Sequence, residues 1–211
     1  MSDPAQPTYL VSAYSDPVVV KVRGKANYLN CNAFREFIET VITGGCRKLF
    51  IDFVDCKGMD STFLGILAGT AIQLRKLKPA GELIVGNLSE RNYELICNLG
   101  LQNLLAISKD QAAASETFNA LKNQEVSDPK NVLKAHENLT DANKENVDKF
   151  QDVIAVLRNQ VEKPEKHASS ESHSCVSVST SDGWSSFLHL PANLNCLELP
   201  NVLGVFTDSA V

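Results

Sequence analysis

Between Val18 and Leu121, segments of strand character and segments of helical periodicity alternate, joined by links of a few residues. Links that short favour right-handed βα crossovers and therefore a largely parallel sheet. Residues 18–22 are rich in β-branched side chains and read as a strand that Gly24 ends, followed by a polar loop over 25–29. Asn30 is placed to cap a helix whose apolar positions, Phe34, Phe37, Ile38, Val41 and Ile42, form one continuous face. Gly44-Gly45 closes that helix. Residues 49–54 form a second strand, apolar except at Asp52.

A second helix is expected from about Ser61 to Leu77, with Leu64, Leu67, Ala71 and Leu74 in one row. Gly65 and Gly69 leave one strip of it bare. Each costs about 1 kcal/mol as a helix former, which a close backbone approach would offset. Arg75, Lys76 and Lys78 suit the helix C-terminus and Pro79 stops it. A third strand follows at 82–86, then a helix capped by Ser89, carrying Tyr93, Ile96 and Leu99 and closed by Gly100. A short strand at 104–107 and an Ala-rich helix from Asp110 to Leu121 complete the alternation. Residues 9–14, ahead of Asp16-Pro17, add an edge strand by a hairpin. So few strands, with single-faced helices, imply two layers.

Asp128-Pro129 opens a different region. Residues 131–163 are charged and free of Gly and Pro, and Val147, Phe150, Ile154, Leu157 and Val161 follow a heptad-like spacing. Extended backwards, that seam runs through Asn143, Thr140, His136 and Leu133 and is poor. The segment reads as an amphipathic helix folded back on its own domain, a homodimerising or partner-binding helix, or a solvated linker. The resulting division is residues 1–125, a C-terminal amphipathic helix at 126–165, and a Ser-rich linker with an apolar tail at 166–211.

Composition narrows the function classes. A formal charge of −5 argues against a nucleic-acid surface. No apolar run is long enough for a membrane span, and Met1 to Gln6 lack signal-peptide character. Six cysteines (Cys31, Cys46, Cys56, Cys97, Cys175 and Cys196) form no CxxC pair and read as reduced thiols of a cytoplasmic protein. Cys56, beside Lys57, reads either as a thiol of lowered pKa or as a buried one. Asp52, Asp55 and Asp60 have no histidine near them in sequence, and all four histidines, His136, His167, His173 and His189, lie beyond the main domain. No nucleophile–base pair, glycine-rich phosphate loop or metal-ligand cluster is visible, so neither an enzyme, a cofactor nor a metal is expected.

The stretch Lys57-Gly58-Met59-Asp60-Ser61-Thr62-Phe63-Leu64-Gly65 stands out between a buried strand and a helix. Asp60 and Ser61 are both good N-cap types, and a phosphate there would face the positive end of the helix dipole. Ser61 reads as a plain cap, a phosphoacceptor or a small-ligand contact.

Strand, loop, helix, glycine pair, buried strand and then Met59-Asp60-Ser61-Thr62-Phe63-Leu64-Gly65 together resemble the STAS family, the domain of anti-sigma-factor antagonists, over about residues 9–120. The resemblance implies a two-layer α/β domain with a mostly parallel sheet. It also implies that Ser61 is phosphorylated by a partner serine kinase that doubles as the anti-sigma factor, with Asp60 as its acidic neighbour and Thr62 as second candidate. Phosphate would release the partner and a cognate phosphatase would restore binding. The loop 24–30 resembles the family's first strand-to-helix loop, so the expected partner surface is Tyr28, Asn30, Asp60, Ser61, Thr62 and Phe63. Phe63 stands where the family usually has Gly, as an anchor for a partner or an obstruction to a kinase. Two other classes stay open: a phosphate-insensitive scaffold oligomerising through residues 147–161, and a sensor binding a nucleotide or other small ligand near Ser61.

Overall fold

The computed structural model describes residues 8–108, 117–121 and 125–162. Its sheet has the order β5-β4-β3-β2-β1-β6. The central strands are β2 (Val18–Ala26), β3 (Lys48–Met59) and β4 (Glu82–Gly86), and short β5 (Ala106–Ser108) follows beside β4. These four run parallel. On the other side β1 (Tyr9–Ser12) pairs antiparallel with β2, and the two-residue β6 (Asn119–Ala120) pairs antiparallel with β1. The sheet is mixed and mostly parallel, as expected.

The connections are α1 (Asn32–Thr43), α2 (Ser61–Lys76) and α3 (Glu90–Asn98). Each parallel step moves one strand in the same direction. Right-handed crossovers therefore place all three helices on one face. Beneath them lie Val20, Val22, Leu49, Ile51, Phe53, Leu83 and Val85, all buried, and Phe34, Ile38, Phe63, Leu67 and Leu74 descend from α1 and α2.

The structure departs from the sequence reading in several elements. β2 runs through Gly24 to Ala26, and β3 runs to Met59, since their pairing continues across two register shifts to Ala26 opposite Met59. Gly24, at φ +66°, supplies a left-handed residue where the register slips. The N-cap of α1 is Cys31 rather than Asn30. A single turn of 3₁₀-helix over Leu101–Asn103 delays β5 to residue 106. Of the Ala-rich helix expected at 110–121, residues 110–116 lie outside the described residues. Its end is strand β6, because the Leu121 N–H donates to the Tyr9 carbonyl at 3.0 Å. β1, expected at the edge, thus has a neighbour on both sides.

The single C-terminal helix is two: α4 (Pro129–Ala142) and α5 (Asn146–Glu162). Asp128 caps α4, accepting from the Lys130 N–H. At the break, Asn143 is extended and its side-chain oxygen accepts the Glu145 N–H. Buried Asn146 donates to the carbonyls of both Leu99 and Leu139, and Lys149 donates to that of Asn98. The break is thereby tied to the end of α3. α4 lies along α2, adding a third layer, and α2 is buried on almost every side rather than along one face. No helix among the described residues is long and apolar enough to cross a membrane. The linker and tail expected at 166–211 lie outside the described residues.

Candidate functional site

The extended pairing of β2 with β3 delivers two strand-to-helix loops to one end of the sheet. The Asp60 N–H donates to the Ala26 carbonyl at 3.1 Å, so the start of α2 adjoins the loop 27–31. Asp60 organises both. Its Oδ1 accepts the Phe63 N–H at 2.8 Å, capping α2, and its Oδ2 accepts the Tyr28 N–H at 2.8 Å. Asp60 is therefore the cap, which leaves the Ser61 hydroxyl free of that duty.

The expected surface residues divide sharply. Tyr28 is 47% exposed and Ser61 is half-buried. Asn30 mainly holds the loop together: its oxygen accepts the Asn27 N–H and the Tyr9 hydroxyl, and its nitrogen donates to the Lys25 carbonyl. Phe63 is 0% exposed, wedged against Phe34 at 5.0 Å between ring centroids and edge-on to Phe53. It is a core residue, neither an anchor nor an obstruction. Thr62, 4% exposed, offers no accessible hydroxyl. The sequence could not separate the three neighbours Ser61, Thr62 and Phe63, since only the helix phase relative to the sheet decides which point inward.

The other titratable groups are committed elsewhere. Asp52 accepts from the Val54 N–H and the Asn87 amide, and Asp55 pairs with Arg23 at 3.5 Å. Burial pushes the Cys56 thiol upward, the opposite of an activated thiolate. Burial likewise pushes the Cys31 thiol up to about 11, against a hydrogen bond with Ser127 that lowers it. Tyr9 is raised too, chiefly by burial and then by the neighbouring Cys31, Asp60 and Cys56.

One group at the site was not legible in the sequence. His136 of α4, 4% exposed, places Nε2 3.0 Å from Ser61 Oγ. Its Nδ1 lies 2.8 Å from the Val132 carbonyl, which can only accept. In the neutral ring Nδ1 thus carries the proton, Nε2 is the acceptor and the Ser61 hydroxyl donates. Phe150 of α5 backs the imidazole edge-on at 5.3 Å. The two residues are 75 apart in the chain, so no local pattern could pair them. The usable signal was α2 itself, apolar on every side, which demands a second packing partner.

The STAS domain family model matches residues 9–114. The chain belongs to the STAS family. The matched stretch holds β1 to β5, α1 to α3 and the Asp60-Ser61 corner, while β6, α4 and α5 lie beyond it. Among solved structures, the chain is similar to the anti-sigma factor antagonist SpoIIAA in its unphosphorylated form, at 19% identity over 49% of this chain and 89% of that one, TM-score 0.42. An anti-sigma factor antagonist from Mycobacterium paratuberculosis shows 24% identity over 52% of this chain and 92% of that one, TM-score 0.44. The Bacillus cell fate determinant SpoIIAA in its phosphorylated form shows 20% identity, with 48% and 92% covered and a TM-score of 0.41. Comparison with curated proteins gives no significant match.

Proposed function

We propose that this STAS protein is a non-enzymatic cytoplasmic regulator of the anti-sigma-factor-antagonist kind, controlled by reversible phosphorylation of Ser61. Its partner is a serine kinase that is also an anti-sigma factor, and a phosphatase resets it. The observation that carries the reading is the division of labour at the start of α2. Asp60 supplies the cap, so the neighbouring hydroxyl stands at a helix N-terminus beside the exposed Tyr28 loop with no capping role of its own.

In the kinase reaction a bond forms between Ser61 Oγ and the γ-phosphorus of a nucleoside triphosphate as the bond to the departing diphosphate breaks. The hydroxyl proton leaves to a base. The product adds about −1.5 to −2 charges beside Asp60. The dipole of α2 tolerates that charge within the protein, whereas a partner fitted to a neutral hydroxyl meets bulk and repulsion. Unmodified protein binds and phosphorylated protein releases. A pull-down from the natural host with wild-type chain and with Ser61→Asp tests this: the wild type retains a serine kinase, and Ser61→Asp loses it.

The competing scaffold reading requires residues 147–161 to be free for a second copy. Phe150 and Ile154 of that seam are instead half-buried and buried, and Arg158 pairs with Glu137 of α4 at 2.9 Å. This observation favours the fold-back helix over the dimerising one.

A further inference from the structure

The pairing of β2 with β3 slips twice before it ends, and both slips put the extra residue on β3. From the pair Lys21–Asp52 to the pair Arg23–Asp55, β3 uses one residue more than β2; from Gly24–Cys56 to Lys25–Gly58, the extra residue is Lys57. Bulges of this kind re-aim side chains at a strand end. Phe53 stays in the core at 1% exposure, whereas Val54 turns to the face that α1 to α3 do not cover and is 62% exposed. Val54 borders a groove whose walls are cationic. Arg23, Lys25 and Lys57 line it against the single carboxylate of Asp55, and Asn27 and Asn30 bound it toward the Tyr28 loop. Arg23 shares its charge with Asp55 at 3.5 Å. Lys25 and Lys57 are exposed and have no acidic partner among the described residues. The chain as a whole carries a formal charge of −5, so this local positive surplus runs against its composition.

We propose that this groove seats an acidic segment of the partner protein, with carboxylates on Lys25, Lys57 and Arg23 and an apolar side chain against Val54. The proposal rests on the reading of the chain as a partner-binding regulator and adds the chemistry of the partner's face. The groove is continuous with the Tyr28–Ser61 corner: past Lys25 and Lys57 the strands pair once more, Ala26 with Met59, and the Asp60 N–H then donates to the Ala26 carbonyl. A partner seated on Tyr28 and Ser61 thus has the two lysines beside it. Exposed cations around an exposed valine fit a peptide better than a free anion, which would leave Val54 in water. An acidic face is also the kind that a new phosphate on Ser61 repels. Charge complementarity of this sort steers encounter and selects the partner, and salt screens it.

Nitrogen-15 chemical-shift mapping on the full, unmodified chain tests this. The probe is an octapeptide of glutamates with leucine at its third and sixth positions, blocked at both ends. It should shift amides 23–27 and 54–58, and its affinity should fall about tenfold or more in the variant Lys25→Glu with Lys57→Glu, or when salt is raised from about 20 mM to about 300 mM. Val54→Ser, and serine in place of the two leucines, should each weaken binding several-fold, and the same peptide with lysine for glutamate should not bind. No shift in these amides at millimolar peptide, shifts centred elsewhere, equal binding of the lysine peptide, or unchanged affinity in the double variant overturns the proposal. So does ATP giving the same shifts at equal or tighter affinity, which marks a small-anion site. The substituted side chains are exposed; should the double variant still fail to fold, Val54→Ser and the lysine peptide decide. Absence of phosphate on Ser61 in the host would defeat the proposed switch without altering this result, because the chain tested here carries none.

Discussion

Replacing Asp60 with Ala should destabilise the protein more than replacing Ser61 with Ala, although Ser61 holds the hydroxyl of interest. Asp60 caps α2 through the Phe63 N–H at 2.8 Å, which is worth about 1 kcal/mol. Its charge against the helix dipole adds about 0.3–1 kcal/mol. The bond to the exposed Tyr28 N–H adds only a fraction of the 1.5–3 kcal/mol of a charged hydrogen bond, since water replaces it there. Asp60→Ala should therefore cost about 2–3 kcal/mol. Ser61→Ala removes one hydrogen bond and leaves His136 Nε2 unpaired, about 1–2 kcal/mol, and that loss falls on α4 docking rather than on α2. Urea unfolding followed by far-ultraviolet circular dichroism compares the two, with Asp60→Asn as the variant that keeps one acceptor oxygen, replaces the other with an NH2 donor and removes the charge. A larger loss in Ser61→Ala than in Asp60→Ala would show that the serine, not the aspartate, organises the corner.

Phe63→Ala should cost about 3–5 kcal/mol in the same urea assay because it empties a fully buried site, whereas Tyr28→Ala should leave stability within about 0.5 kcal/mol and weaken only partner binding. Asn146→Ala strands two carbonyls that now share one buried amide, and a loss of about 2–3 kcal/mol is expected, seen first as faster exchange in α5. Alkaline stability should carry a mark from Cys31, whose thiol sits at about 11 in the fold against an ordinary 9.0. Below pH 9 both states keep the proton and the contribution is flat. Between about pH 9 and pH 11 the unfolded chain releases it first, so stability falls by up to about 2–3 kcal/mol, and Tyr9 acts in the same direction at higher pH. Urea midpoints of wild type and Cys31→Ala at pH 8 and pH 11 check this; Cys31→Ala should show the smaller decline.

Local chemistry was the part of this fold that the sequence carried openly. Ser89 and Asp60 cap the helices they precede, accepting the Asn92 and Phe63 N–H groups. β4 occupies 82–86 as its apolar run indicates. The extents of β2 and β3 were not legible, because their last residues are mostly charged or Gly and are held by pairing with each other, with only Ala26 and Cys56 among them buried. Strand β6 was hidden for a similar reason: it is made by β1, against the helix propensity of its own residues. The break at Asn143 carries neither Gly nor Pro and is made by Asn143 accepting the Glu145 N–H and by Asn146 donating to the carbonyls of Leu139 and of Leu99 at the end of α3. At the site, Asp60, Ser61 and Tyr28 could be grouped from topology alone. The burial of Thr62 and Phe63 needed the phase of α2, and His136 needed the return of α4 across Gly65 and Gly69 of α2.

The central claim is that Ser61 is where this protein is switched, and the most direct measurement is phosphopeptide mass spectrometry on the chain purified from its own host under several growth conditions. The account predicts a single regulated phosphate on the peptide spanning Asp60 and Ser61, assigned to Ser61, with occupancy that changes with condition. Phosphate assigned to another residue, or a Ser61 peptide unmodified in every condition, would contradict it.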